Sequence, residues 1–334
     1  MTKKVALIGY GYWGPNLLRN LFDTPDCIVA YCCDQDENKL NLINSRYPSV
    51  QTTKDVNDVL KDKTVDGIAI ATPTKSHFFL IKAALQSNKD VLVEKPMTLT
   101  FKEAKKIAGI AKKKKRVLMV DHTFLFNDAV IKIKDIIDKG EIGNVLYIDS
   151  VRVNLGLFQK DSNVIFDLAT HDFSITNYLL DSSPKSIFAH AETHFGRQED
   201  VAYIHAEYPK KITVHVHISW LSPAKIRRML IVGTKKMIVY DDIEPTEKIR
   251  VYDKGIIFQK DSKAVEQLKI GYRSGDIWLP KIDIVEPLGV LTNAFVKAIG
   301  TRNVEKSSGE FGANIVNILE TATNSARTGR RISI

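Results

Sequence analysis

Hydrophobic positions in the first 120 residues fall into short unbroken runs separated by longer amphipathic stretches. Val5-Ala6-Leu7-Ile8 is continuously apolar, the pattern of a strand covered on both faces. A glycine-rich turn follows it, and then a helical stretch from about Pro15 to Phe22. A second strand is expected at Ile28 to Cys33, closing on Asp34, and a helix at about Glu37 to Arg46. Gly67–Ala71, Asp90–Val93 and Arg116–Val120 read as further buried strands, with helices near His77–Ser87 and Phe101–Lys115. Strands alternating with helices over short connections predict an α/β domain with a doubly wound parallel sheet.

Past about Asp121 the period changes. A helix at about Asn127–Lys139 leads into a strand at Val145–Val153, and another helix is expected from about Val164 to Leu180. From Lys185 to about Tyr252 apolar and polar residues alternate. In Ile212-Thr213-Val214-His215-Val216-His217-Ile218-Ser219, Ile and Val occupy one face and Thr, His and Ser the other. Such runs predict an α+β domain on an open, mostly antiparallel sheet. The chain ends in helical segments near Pro287–Ile299 and Gly309–Arg327. The expected division is an α/β domain over residues 1–121 and an α+β domain over 122–334, whose final helices can pack back on the first. An uncovered apolar sheet face favours association, so a homodimer or homotetramer through the second sheet is expected.

Composition narrows the class. A chain of 334 residues with 44% hydrophobic and 26% charged residues is an ordinary globular composition of two-domain size. No apolar run nears the ~20 residues that span a bilayer, and the run after Lys3-Lys4 stops at Gly9, too soon for a signal peptide. The three cysteines, Cys27, Cys32 and Cys33, make no disulfide framework, and a cytoplasmic location is expected. The net charge of +9 owes part of its excess to Lys112–Arg116, where basic residues suit a helix C-terminus. No basic stripe interleaved with aromatics is present, so neither nucleic acid nor membrane is an expected partner.

Gly9-Tyr10-Gly11-Tyr12-Trp13-Gly14 fits G-x-G-x-x-G directly after a buried strand and at the start of a helix. In that context Gly9 permits the tight turn, Gly11 lets the backbone approach a pyrophosphate, and Gly14 lets helix and strand pack closely. The helix N-terminus turns its amides and positive dipole toward the phosphates. Asp34, twenty residues after Gly14, stands where a carboxylate accepts both ribose hydroxyls and repels a 2′-phosphate. NAD is therefore expected rather than NADP. Glu94-Lys95-Pro96 closes a parallel strand, and carboxyl ends of such strands face the ligand crevice, which brings Lys95 to the nicotinamide end. His215 and His217 share a strand face but have no third ligand at suitable spacing, and no metal site is expected.

These motifs resemble the glucose–fructose oxidoreductase / inositol dehydrogenase / MocA (Gfo/Idh/MocA) family. The likeness rests on the glycine turn, on Ala71-Thr72-Pro73 with His77 four residues on, on Glu94-Lys95-Pro96, and on Asp167-Leu168-Ala169-Thr170-His171 as the family's D-x-x-x-H. It implies a Rossmann domain, an open sheet, and NAD(P)-linked oxidation or reduction of a sugar or cyclitol. It also adds Tyr10, Tyr12, Trp13, Ala71, Thr72, Pro73, His77, Glu94 and Lys95 to Gly9, Gly11, Gly14 and Asp34 as cofactor residues. Asp167 and His171, four apart on a helix, are placed to handle a proton. His171 is the candidate general base, Asp167 orients it or the substrate, and Lys95 stabilises alkoxide charge. Asp172, about 100° off that face, is expected as a support, holding Lys95 or the loop.

Gly11-Tyr12-Trp13-Gly14-Pro15-Asn16-Leu17 and Asn154-Leu155-Gly156-Leu157-Phe158 resemble the branch that oxidises C3 of UDP-N-acetylglucosamine-type nucleotide sugars or their uronic acids. Phe166 and Thr170 depart from the tryptophan and proline expected beside that chemistry. Arg152, Asn154 and His122, the last in the Asp121–Phe124 turn, join Lys95, Asp167 and His171 as candidate substrate contacts. Three alternatives stay open: an NADPH-linked ketoreductase of a nucleotide deoxysugar, a free sugar or inositol dehydrogenase, and a non-catalytic dinucleotide sensor that binds a protein partner.

Overall fold

The computed structural model describes residues 1–156, 158, 161–259, 269–283 and 285–334. The chain divides into two compact units, residues 1–127 with 285–320 and residues 128–284 with 321–334. The first therefore extends past the expected boundary at residue 121 and recruits a segment from near the C-terminus.

Six parallel strands form the first sheet: β1 (Lys3–Ile8), β2 (Cys27–Cys33), β3 (Gln51–Thr53), β4 (Gly67–Ile70), β5 (Asp90–Glu94) and β6 (Leu118–Asp121). Their order, β3-β2-β1-β4-β5-β6, reverses direction at β1. Ligands of doubly wound sheets bind outside the carboxyl ends of the strands at such a switch point. Val5, Ala6 and Leu7 are wholly buried, as are Ile68 to Ile70 and Val91 to Val93, which is why these strands read as unbroken apolar runs. Helices α1 (Gly14–Asp23), α2 (Glu37–Arg46), α3 (Val56–Lys61), α4 (Thr74–Gln86) and α5 (Phe101–Lys113) supply the crossovers. Asp36, Asp55 and Thr100 cap α2, α3 and α5 through their side chains. Neither β3 nor α3 is expected from the apolar pattern.

The second unit opens with α6 (Asp128–Asp138) and includes α7 (Thr170–Leu180). Among the described residues its sheet has nine strands: β7 (Val145–Leu155), β8 (Ser186–Glu192), β9 (Val201–Glu207), β10 (Thr213–Ser219), β11 (Leu221–Gly233), β12 (Met237–Asp241), β13 (Ile249–Gln259), β14 (Lys269–Trp278) and β15 (Ile332–Ser333). The order is β14-β13-β12-β11-β7-β10-β9-β8-β15, antiparallel except where β10 runs parallel to β7. One face buries Val214, Val216 and Ile218, as their alternation predicts. On the other, His217 pairs with Tyr203 and stacks on its ring at 4.5 Å, and Phe188 pairs with His205. Tyr203 and Phe188 remain more than two fifths exposed.

Two helices close the chain, α8 (Pro287–Thr301) and α9 (Gly309–Thr328). Within the first unit α8 packs on α1, where the hydroxyls of Thr24 and Thr292 bond at 2.9 Å and Glu286 pairs with Arg19. Among the described residues no helix is long and apolar enough to cross a membrane.

Candidate active site

The glycine turn sits between β1 and α1 and is closed toward the sheet. Gly9 has φ +96°, and a Cβ there would lie 2.6 Å from the Ala71 carbonyl oxygen and 2.8 Å from Thr72 Cγ2. A Cβ on Gly14 would strike the Gly9 carbonyl at 2.4 Å, so only glycine allows helix and turn to approach this closely. Gly11 differs: a Cβ there would meet nothing within 4 Å. The turn is thus tight against the strands and open on its other side, which fits a pyrophosphate lying against bare backbone. Trp13, at the N-cap of α1, gives no side-chain cap, Pro15 occupies the first turn, and no acid competes for its amides.

Asp34 reaches the same turn from the end of β2. Its Oδ2 accepts the Tyr10 amide at 2.6 Å and its Oδ1 accepts the Asp36 amide at 2.9 Å, with Lys39 Nζ at 3.7 Å. Two backbone donors fix the carboxylate while lone pairs remain on both oxygens. Tyr10 is buried, whereas Tyr12 is 84% exposed.

Ala71, Thr72 and Pro73 follow β4, and Thr72 Oγ1 bonds Ser76 Oγ at 2.6 Å. His77 is buried beneath them. Its Nε2 lies 2.8 Å from the Thr72 carbonyl oxygen and its Nδ1 3.0 Å from that of Pro96. Burial holds its pKa below the usual imidazole value, and the carbonyl partners oppose that shift. Expected as a cofactor contact, His77 has both ring nitrogens on backbone and clasps the end of β4 to the Glu94-Lys95-Pro96 turn.

That turn ends β5, with a cis Lys95–Pro96 peptide, and the Lys95 amide donates to Glu94 Oε2 at 3.2 Å. Glu94 is in register with Asp121 of β6. Asp121 accepts Trp13 Nε1–H at 3.2 Å and the Thr123 hydroxyl. The sequence offers this acid only as part of a turn, because an acid at a strand end resembles a solvated loop residue. His122 is 1% exposed, edge-on to Phe311 at 5.6 Å, and neither ring nitrogen has a hydrogen-bond partner among the described residues. Burial and then the Lys95 charge push its pKa down to about 3, so it is neutral at physiological pH. In this position its ring faces protein, not solvent.

The second unit gathers the other candidates. The regular helix expected from 164 to 180 is corrected: Ile165–Ala169 forms a π-helical turn and the α-helix begins at Thr170. Single π turns re-aim side chains and recur at functional sites. The Asn163 side chain holds the start of this turn through the Phe166 amide at 3.0 Å. Within it Asp167 accepts Trp220 Nε1–H at 3.0 Å. Trp220 is buried against Gly156, where a Cβ would approach its indole to 2.6 Å. Sequence patterning passes over this tryptophan as the end of a strand, yet it holds the Asp167 carboxylate. His171, like Asp167, is half-buried.

Asp172, immediately after His171, is buried and accepts Ser150 Oγ at 2.6 Å and Arg152 Nε at 2.9 Å. Its described partners are thus two β7 residues, where Lys95 or a loop is expected from the sequence. Arg152 is 4% exposed, so its guanidinium faces this carboxylate inside the unit. Asn154 is half-buried near the end of β7, and Leu157 lies outside the described residues. No group of three or more His, Cys, Asp or Glu among the described residues could hold a metal ion.

Comparison with known proteins turns this geometry into a family. Residues 3–122 match the oxidoreductase family with an NAD-binding Rossmann fold, and residues 130–239 match the GFO/IDH/MocA C-terminal domain. The chain belongs to the Gfo/Idh/MocA family of oxidoreductases. An uncharacterized oxidoreductase of Escherichia coli (strain K12) is 29% identical over 259 residues, 73% of each chain. The scyllo-inositol 2-dehydrogenase (NAD(+)) of Bacillus subtilis (strain 168) is 29% identical over 193 residues, 56% of this chain and 56% of that one. The UDP-N-acetylglucosamine 3-dehydrogenase structure from Acidithiobacillus ferrooxidans superposes with a TM-score of 0.81, covering 98% of this chain and 99% of that one at 19% identity. At that identity the likeness speaks for the fold.

Proposed function

We propose that this Gfo/Idh/MocA oxidoreductase removes hydride from a secondary alcohol on a sugar ring, with NAD as acceptor, and that its substrate class is a UDP-N-acetylglucosamine-type nucleotide sugar or its uronic acid, oxidised at C3. The observation that carries this reading is the placement of Glu94-Lys95 at the end of β5, on the switch-point side of the first sheet, together with a half-buried Asp167–His171 pair on an irregular helix of the second unit. As the hydroxyl gives its proton to a base, its oxygen gains alkoxide character, and hydride leaves the same carbon for the nicotinamide as the C=O bond forms. His171 accepts that proton. Asp167, fixed by Trp220, orients the imidazole or a neighbouring hydroxyl. The Lys95 ammonium stabilises the developing negative oxygen. NAD, when bound, supplies the hydride-accepting nicotinamide; Gly9–Gly14 and Asp34 would hold its pyrophosphate and ribose.

A second reading, a free inositol or sugar dehydrogenase with the same residues, is favoured by the inositol dehydrogenase likeness. One panel tests both: UDP-sugars, UDP-sugar uronates, free sugars and inositols, each with NAD and NADP, followed by nicotinamide absorbance. The expected result is turnover of UDP-sugars with NAD and little with NADP. Turnover confined to free cyclitols selects the second reading, and activity with neither class ends both. In the same panel Asp34→Ala weakens NAD and narrows its advantage over NADP; an unchanged ratio would refute the role given to Asp34.

We also propose that the exposed aromatic and histidine face of the second sheet associates with a second copy of the chain. Sedimentation over a range of concentrations should show a dimer or tetramer that Tyr203→Asp weakens. A monomer throughout would contradict it.

A further inference from the structure

We infer that Glu94 and Asp121 share one proton across the carboxyl ends of β5 and β6, and that the resulting singly charged pair makes Asp121 a positioning residue for Lys95. The geometry supplies the reason. Parallel register sets the two residues side by side at the ends of neighbouring strands. Asp121 already receives a donor on each oxygen, Trp13 Nε1–H on Oδ2 and the Thr123 hydroxyl on Oδ1. Glu94 Oε2 accepts the Lys95 amide. Glu94 as a whole is half-buried, but its Oε1 is sealed from water and meets no donor among the described residues. Two ionised carboxylates have only acceptors to offer each other, so a hydrogen bond from the sealed Glu94 Oε1 to Asp121 requires a proton between them. That proton belongs chiefly to Glu94, because Asp121 has the better set of donors for an anion. Burial, and then the adjacent Asp121 charge, raise Glu94 well above its ordinary 4.5, while the Lys95 ammonium opposes the shift less strongly. His122, the other titratable group in this corner, is neutral and leaves the balance unchanged.

The pair joins two parts of the site. Through Trp13, Asp121 grips the glycine turn; through Glu94, it sets the Lys95 backbone. Loss of the shared proton would place two like charges in one sealed corner and loosen both holds. The catalytic consequence rests on the proposed role of Lys95, whereas the sharing itself does not.

Infrared spectra and pH-dependent melting of the intact protein test the sharing without substrate. Wild type should show a neutral carboxyl stretch at pH 7 that is missing from Glu94→Gln and that persists, shifted, in Asp121→Asn, because burial still holds the Glu94 proton while its acceptor has changed. The folded protein keeps a proton that the unfolded chain releases above its ordinary 4.5. The stability it confers is therefore complete below that pH and is lost as pH rises through the raised folded value. As pH rises above the ordinary 4.5, wild type should lose stability that Glu94→Gln keeps; parallel curves and no neutral carboxyl band overturn the sharing. For positioning, the alkaline limb of kcat/KM should move to lower pH in Asp121→Asn. A profile lowered without movement overturns the positioning role. If the proposed reaction is wrong, no such profile exists, yet the infrared and melting results stand.

Discussion

Lys95→Ala and His171→Ala should each lower kcat by roughly 10²–10⁴-fold while NAD binding, followed by isothermal titration calorimetry, stays close to wild type. Removing Lys95 takes away the only cation assigned to the developing alkoxide, and preorganised charge of this kind is among the strongest contributions an active site makes to rate. Removing His171 leaves the hydroxyl proton to water. Cofactor affinity should survive because the pyrophosphate turn and Asp34 are separate from both residues in sequence and are held by backbone packing and backbone donors of their own. The double variant should be little worse than the worse single one, because groups acting in one step are not additive. Near-normal turnover in both single variants would remove the catalytic assignment and leave the fold untouched.

Asp172→Ala should be the costliest substitution for stability in the second unit. Its carboxylate and the Arg152 guanidinium are 1% and 5% exposed as side chains, at 2.9 Å. Deleting one partner of a buried pair leaves the other charge without its compensation, which costs about 3–5 kcal/mol. For a unit of this size that lowers Tm by roughly 6–20 °C. Asp172→Asn keeps an acceptor for Ser150 and should fall between wild type and alanine. The pair also anchors α7 to β7 one residue after His171, so kcat at permissive temperature should fall more than NAD affinity. Differential scanning calorimetry gives the first readout, and a Tm within 2 °C of wild type, about the effect of a ~1 kcal/mol change, would show that the pair holds nothing.

Much of this architecture is legible in the residues alone. The parallel strands announce themselves because both faces are covered, which forces unbroken apolar runs such as Val5 to Ile8. The glycine turn and Asp34 are readable because a tight turn, a close approach and a ribose acid constrain residue type at fixed spacing. Elements set by tertiary context are not. Gln51–Thr53 is a three-residue polar strand recruited by the edge of β2, with no alternation of its own to mark it. The π turn at Ile165–Ala169 carries no periodic signature, since one wide turn shifts the register without changing residue type. Asp121 and Trp220 act on other site residues through hydrogen bonds whose partners lie 108 and 53 residues away. Separations of that size leave no trace in local pattern. The outward half of the alternation in β9 and β10 is plain, but a face of Tyr203, His205, His215 and His217 becomes recognisable as a sheet surface only with their cross-strand register.

Isotope transfer tests the central claim most directly. Wild-type protein with NAD and a UDP-N-acetylglucosamine-type sugar deuterated at C3 should yield reduced cofactor carrying one deuterium by mass spectrometry, with a slower reaction than the unlabelled sugar. Reduced cofactor without label, or none from any ring-deuterated UDP-sugar, would contradict it.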